Sequence, residues 1–177
     1  MSVEEKRNIV LCGFMATGKS SVGKQLAVMV GYNFLDLDAA IETEEGISIP
    51  QIFASQGEPA FRELESRMVE QMADRTGMVI ATGGGTIANP QNLEKLKRCG
   101  IVITLTANLQ TILQRVGSGE DRPMLQAEDR IERIQALMEQ RSQAYAQADI
   151  VLDTSSLNIQ EAAQRLMDRL REYGFSF

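Results

Sequence analysis

The sequence has no histidine and no tryptophan, and its 177 residues include only two cysteines and four prolines. Aromatic residues make up 5% of it. Lack of histidine excludes a His-dependent nucleophilic triad and most zinc sites. Any proton transfer must then fall to carboxylates, lysine or tyrosine. Cys12 and Cys99 both stand in apolar surroundings and read as buried free thiols of a reducing compartment, not as a disulfide framework. No apolar run approaches the ~20 residues that span a bilayer. The charged stretch Met1 to Asn8 lacks the pattern of a secretory signal. Basic residues are outnumbered as well, 18 against 24 acidic, for a net charge of −6. A general nucleic-acid coat would need a basic face, so that class is set aside. A cytoplasmic protein with no nucleic-acid or membrane partner is the expectation.

What remains is 44% hydrophobic and 24% charged, the mix of a globular domain. At roughly 150 residues per domain the chain is expected to form one, residues 1–177. Short apolar runs alternate with longer helical patterns. Strands are predicted at Ile9 to Cys12, Asn33 to Asp38, Met78 to Ala81, Ile101 to Leu105 and Ile150 to Leu152. Helices are predicted from Lys19 to Val30, with Gly31 as the residue that closes it. Pro50 and Pro59 mark two more starts, the second helix running to about Arg75. Asn89-Pro90 opens another that ends near Gly100, and Gln126 to Gln147 and Ile159 to Glu172 complete the set. Strand–helix alternation of this kind predicts an α/β fold with a parallel sheet covered on both faces. The stretch Gly117 to Asp121 reads as the most mobile part of the chain.

Gly13-Phe14-Met15-Ala16-Thr17-Gly18-Lys19-Ser20 matches the pattern G-x-x-x-x-G-K-[ST], between a predicted strand and an amphipathic helix. The chemistry needs that arrangement. Glycines let the backbone curl so that successive N–H groups point at phosphate oxygens, and the helix N-terminus adds a favourable dipole. Lys19 can reach the outer phosphates and Ser20 can ligate Mg²⁺. Ala16 stands where many small-molecule kinases carry glycine. It fits if its φ is negative and strains the loop if its φ is positive.

Asp36 and Asp38 lie two apart at the end of the second predicted strand and are expected to share one face. One could serve a metal and the other a phosphoryl acceptor; alternatively, Asp38 simply caps a helix that begins at Ala39. Gly83-Gly84-Gly85 follows the third strand and permits close backbone approach to a ligand. Ile131, Ile134, Met138, Arg141 and Tyr145 share one helical stripe, which puts Arg141 either over a cleft that takes an anion or snorkelling to water. Arg62 precedes Glu65 by three positions, either a site residue or half of an ordinary surface pair. Arg122 follows the glycine-containing stretch, and as a loop cation it could offset charge over a nucleotide. The Phe53/Phe61 region and the methionines read as core, and Glu42, Glu44 and Glu45 as a solvated helix face.

Taken together, these segments resemble the shikimate kinase family. They are the Gly13–Ser20 loop, Leu35-Asp36-Leu37-Asp38, Phe61-Arg62-Glu63-Leu64-Glu65, Gly83-Gly84-Gly85, Asp121-Arg122-Pro123 and Arg141 through Tyr145, in that order. The resemblance implies a three-layer α/β/α P-loop kinase fold, with a five-stranded parallel sheet of order 2-3-1-4-5 and a mobile lid at about 117–127. It implies transfer of the ATP γ-phosphoryl group to the 3-hydroxyl of shikimate, on the route to chorismate and aromatic amino acids. ATP is the co-substrate, one Mg²⁺ accompanies it, and the chain is expected to act as a monomer. Asp38, Lys19 and Arg122 would be catalytic. Gly13, Ala16, Thr17, Gly18, Lys19, Ser20, Ser21, Arg115 and Arg122 would hold the nucleotide, with Ser20 and Asp36 on the metal side. Asp38, Arg62, Gly83, Gly84, Gly85 and Arg141 would bind the acceptor. Where the family often has a basic residue near the adenine, this chain has Thr154-Ser155-Ser156. A gluconate kinase would share the loop, and a non-catalytic nucleotide-binding module would need no acceptor pocket. No guanine-reading Asn-Lys-x-Asp stretch is present.

Overall fold

In the computed structural model, residues 7–117 and 130–177 are described. The strands are β1 (Asn8–Gly13), β2 (Asn33–Asp36), β3 (Met78–Ala81), β4 (Gly100–Thr106) and β5 (Ile150–Asp153), all parallel, in the order β2-β3-β1-β4-β5. The helices are α1 (Lys19–Val30), α2 (Leu37–Glu45), α3 (Ile49–Ala73), α4 (Pro90–Cys99), α5 (Leu109–Val116), α6 (Arg130–Tyr145) and α7 (Ile159–Glu172). Both the fold class and the strand order follow the expectation.

Alternation along the central strand explains the layering. Ile9 and Leu11 pack with α1 and α7 on one face, while Val10 and Cys12 pack with α2, α3, α4 and α6 on the other. All four are fully buried, as expected for a parallel sheet covered on both sides. Phe53 and Phe61 lie ring to ring at 4.9 Å within that second layer, so the aromatic pair belongs to the core.

Local signals set the helix ends. Gly31 closes α1 at φ 69° and donates to Ala27 O. Asn89 caps α4 through Gln91 N. Ser48 and Gln51 form a reciprocal capping box at the start of α3. The two helix starts expected at Pro50 and Pro59 form one element, kinked at Gly57 (φ 81°, ψ 171°).

Four expectations need correction. The second strand stops at Asp36, because the Asp36 side chain accepts from Asp38 N and Ala39 N and turns the chain into α2. Helix α5 is additional to the predicted set; Asn108 caps it through Thr111 N, and Ile112 is buried beneath it. Helix α6 ends at Tyr145, two residues early, and Gln126 to Asp129 lie outside the described residues. Within the predicted α6 stripe, Ile134 and Tyr145 are buried but Ile131 is 52% exposed. Among the described residues no helix is long and apolar enough to cross a membrane. The cysteines are free, with Cys12 buried and Cys99 half-buried. Burial pushes the Cys12 thiol up to about 11, which keeps it neutral and unreactive.

Candidate active site

The sheet delivers two loops side by side. Leu11 pairs with Ala81, and Thr82 N donates to Leu11 O, so the segments leaving β1 and β3 begin as neighbours. The first is the phosphate loop. Gly13 has φ 136°, and a Cβ there would stand 2.2 Å from the backbone oxygen of Leu105. Only glycine allows the loop to leave the sheet this closely. Gly18, at φ 99°, opens α1 with no side chain to cap it. The first turn of that helix therefore keeps its amides for a ligand. Lys19 Nζ donates to Phe14 O at 2.8 Å, and Thr17 Oγ1 does the same at 2.8 Å, drawing the loop into a curl. Ala16 sits at φ 59°, the only non-glycine residue with positive φ among those described. The condition for strain is thus met, at a typical cost of about 1–2 kcal/mol.

Asp36 and Asp38 do not share a strand face, because the chain has already turned helical between them. The division of labour survives by another route. Asp36 Oδ1 caps α2, and its Oδ2 accepts a hydrogen bond from the Ser20 hydroxyl. Asp38, in the first turn of α2, places Oδ1 2.8 Å from where a Cβ on Gly83 would be. One carboxylate therefore faces the phosphate loop and the other the glycine triplet.

Each glycine of the triplet makes room for a charged side chain. A Cβ on Gly83 would lie 2.7 Å from Glu65 Oε1, one on Gly84 3.1 Å from Arg141 Nη1, and one on Gly85 2.5 Å from Arg62 Nη1. The triplet is thus the floor on which two arginines and two carboxylates converge from α2, α3 and α6.

The pair Arg62–Glu65 is no ordinary surface pair. Glu65 is 1% exposed; its Oε2 accepts from Arg62 Nη1 at 2.6 Å and its Oε1 from Thr86 Oγ1 at 2.7 Å. Glu58 holds the same guanidinium at 2.9 Å. Burial alone would pull the Arg62 pKa down, but the two glutamates outweigh it and raise it, so the cation persists. Sequence reasoning presents Glu65 only as a partner at helical spacing; its burial under Thr86 has no local signal.

Arg141 lies with its guanidinium carbon 6.0 Å from the centre of the Phe14 ring, joining the glycine floor to the phosphate loop. One turn on, Tyr145 donates to Gly84 O at 2.5 Å. Burial pushes its hydroxyl up to about 12, against the opposing pull of Arg141, so it remains a neutral donor. Arg115, reaching from α5, bonds Ala16 O at 3.2 Å and Thr154 O at 2.7 Å. Ser21 lies exposed in the first turn of α1. Arg122 and all of the expected lid beyond Gly117 fall outside the described residues.

A phosphate loop opposite a pocket of arginines and carboxylates, on a sheet of this order, defines a small-molecule kinase of the P-loop class. The profile described as "Shikimate kinase" matches residues 15–171, and the chain belongs to the shikimate kinase family. Shikimate kinase of Geobacter sulfurreducens is 44% identical over 174 residues, 98% of this chain and 96% of that one. The solved structure of shikimate kinase from Acinetobacter baumannii in complex with shikimate superposes with a TM-score of 0.92 at 34% identity, over 97% of this chain and 96% of that one. A gluconokinase from Sinorhizobium meliloti reaches a TM-score of 0.60 at 19% identity, over 96% of this chain and 98% of that one, a likeness of fold alone.

Proposed function

We propose that this chain transfers the γ-phosphoryl group of ATP to the 3-hydroxyl of shikimate, giving shikimate 3-phosphate and ADP, on the route to chorismate and the aromatic amino acids. The observation that carries this reading is the convergence of Asp38, Arg62, Glu65 and Arg141 on the glycine triplet beside the phosphate loop. Family membership supplies the acceptor.

The geometry supports a role for each residue. Amides of Gly13, Ala16, Thr17 and Gly18, with Lys19, Ser20 and Ser21, receive the phosphates, and Arg115 lies beside the base. The acceptor is anionic through its carboxylate, which suits the two guanidinium groups of Arg62 and Arg141. The floor of Gly83, Gly84 and Gly85 takes the ring hydroxyls. Asp38 orients the attacking hydroxyl and accepts its proton as the O–P bond forms and the bond to ADP breaks. Lys19 offsets charge on the group in transit. Arg122 is assigned the same task from the family resemblance, with residues 117–127 closing over the nucleotide.

Ser20 and Asp36 fit a Mg²⁺ ion that travels with ATP: two hard oxygen donors stand in contact, and this ion commonly takes one or two protein ligands, keeping water and phosphate for the rest. When bound, it supplies charge neutralisation on the phosphates. The chain is read as one domain, acting as a monomer in the cytoplasm.

The test is a panel: protein and Mg-ATP with shikimate, gluconate or no acceptor, following ADP release. Turnover that depends on shikimate is expected. Equal turnover with gluconate, or without any acceptor, contradicts the assignment.

A further inference from the structure

The two ends of the phosphate loop are held firmly, and Phe14 and Met15 between them pack against the core, which leaves the backbone direction at Ala16 and Thr17 to be set by other contacts. Gly13 is pressed against the β4 backbone, and Gly18 is already part of the entry to α1. A largely apolar cavity of about 300 Å³ between the end of β4 and α6 reaches the loop at Phe14 and Thr17, so on that side no side chain packs against it. The apex also carries Ala16 in the left-handed region, a conformation that persists only when neighbours enforce it.

What fills that role is polar. Thr154, 2% exposed, follows β5 and is remote in sequence from the loop. Its Oγ1 lies 2.9 Å from Thr17 O and 3.0 Å from Thr106 O, sharing one proton between them, and it accepts from Arg115 Nη1 at 3.2 Å. The Thr154 backbone is itself tied to β4 through Thr106 O, at 2.8 Å from Thr154 N. A trans peptide sends its N–H opposite to its C=O. Holding Thr17 O toward Thr154 therefore aims the Gly18 N–H away from that contact, and holding Ala16 O toward Arg115 does the same for the Thr17 N–H. These two amides belong to the set that receives phosphate.

We infer that Thr154 is a positioning residue for the nucleotide half of the site: its buried hydroxyl, through Thr17 O, sets the direction of the phosphate-binding amides. The inference rests on the reading of this loop as the ATP site. It concerns a residue that touches neither the acceptor pocket nor the reacting atoms.

The test compares Thr154→Val, which keeps the shape and removes the hydroxyl, with Thr154→Ser, which keeps the hydroxyl. The readouts are the KM values for ATP and shikimate and the affinity for a fluorescent ATP analogue measured without acceptor. Loss of one buried hydrogen bond should raise the ATP KM and weaken analogue binding by about ten-fold in the valine variant. The shikimate KM should move by less than about two-fold, and the serine variant should stay close to wild type. If the valine variant does not fold, Thr154→Ala against Thr154→Ser gives the same contrast. Unchanged ATP affinity without the hydroxyl overturns the inference, and so does an equal loss for both substrates. If wild type itself releases no ADP with shikimate, the assigned function fails first. A normal wild type beside an unaffected valine variant sinks only the role of Thr154.

Discussion

The phosphate loop and the wall opposite it solve the same problem, presenting positive potential to an anion, with different parts. On the loop the main chain does it: one contiguous stretch, Gly13 to Ser20, curled by two positive-φ glycines and closed by Lys19. On the wall side chains do it, drawn from α2, α3 and α6 onto a glycine floor. Backbone is rigid and indifferent to side-chain identity, so the loop side tolerates variation at its x positions but not displacement of its course. The wall is the reverse: each glycine there accommodates a particular side chain, and the Arg62 cation is held by Glu58 and Glu65.

The sharpest way to separate the halves is Asp38→Asn. It removes the proposed proton acceptor and leaves the loop untouched, so kcat should fall by about a thousand-fold while ATP affinity is retained. Steady-state kinetics beside nucleotide binding will show it, and near-normal turnover would remove Asp38 from the chemistry.

Next in size is a paired glycine experiment. Gly13→Ala sets a methyl 2.2 Å from a backbone oxygen at φ 136°, and neither can yield, so folding stability should drop by about 3 kcal/mol or more. Gly85→Ala meets the Arg62 guanidinium, Nη1 at 2.5 Å and Cζ at 2.9 Å, from an ordinary φ of −102°, and pushes it off its partner Glu65. That variant should lose less stability than Gly13→Ala, because a side chain can shift where the β4 backbone cannot, and should raise the shikimate KM with ATP affinity kept. If both variants lose stability equally, the contrast between backbone and side-chain construction is wrong.

Arg141→Ala should raise the shikimate KM by about 10- to 100-fold, the scale of a charge-assisted contact, with ATP affinity held within about two-fold. The smallest effect belongs to Ala16→Gly. Relief of left-handed strain should stabilise the fold by about 1 kcal/mol, a rise of about 2–4 °C in Tm. A fall in Tm would mean that the strain is absent.

The same contrast explains how much the sequence alone discloses. The loop is legible because its determinants are contiguous and its context, strand then helix, is local. Strand identities are legible from β-branched runs bounded by glycine. Asp38 is misplaced by spacing alone, because a two-residue interval on a strand and a cap at a strand–helix junction look alike until the turn is seen. The wall can be named only through family resemblance, since nothing in the spacing of Arg62, Gly84 and Arg141 says that they meet. Thr154 is the extreme case: a threonine after a short strand carries no local signal, and its partner Thr17 lies at the other end of the chain.

The central claim is that the two halves face one space, so that a phosphoryl group passes from ATP to an alcohol and not to water. Phosphorus-31 NMR of protein, Mg-ATP and shikimate tests it most directly. The γ-phosphate signal should be replaced by one phosphate monoester, coupled to the ring proton at position 3, in step with ADP. Inorganic phosphate as the sole new signal, or an ester at another hydroxyl, would contradict it.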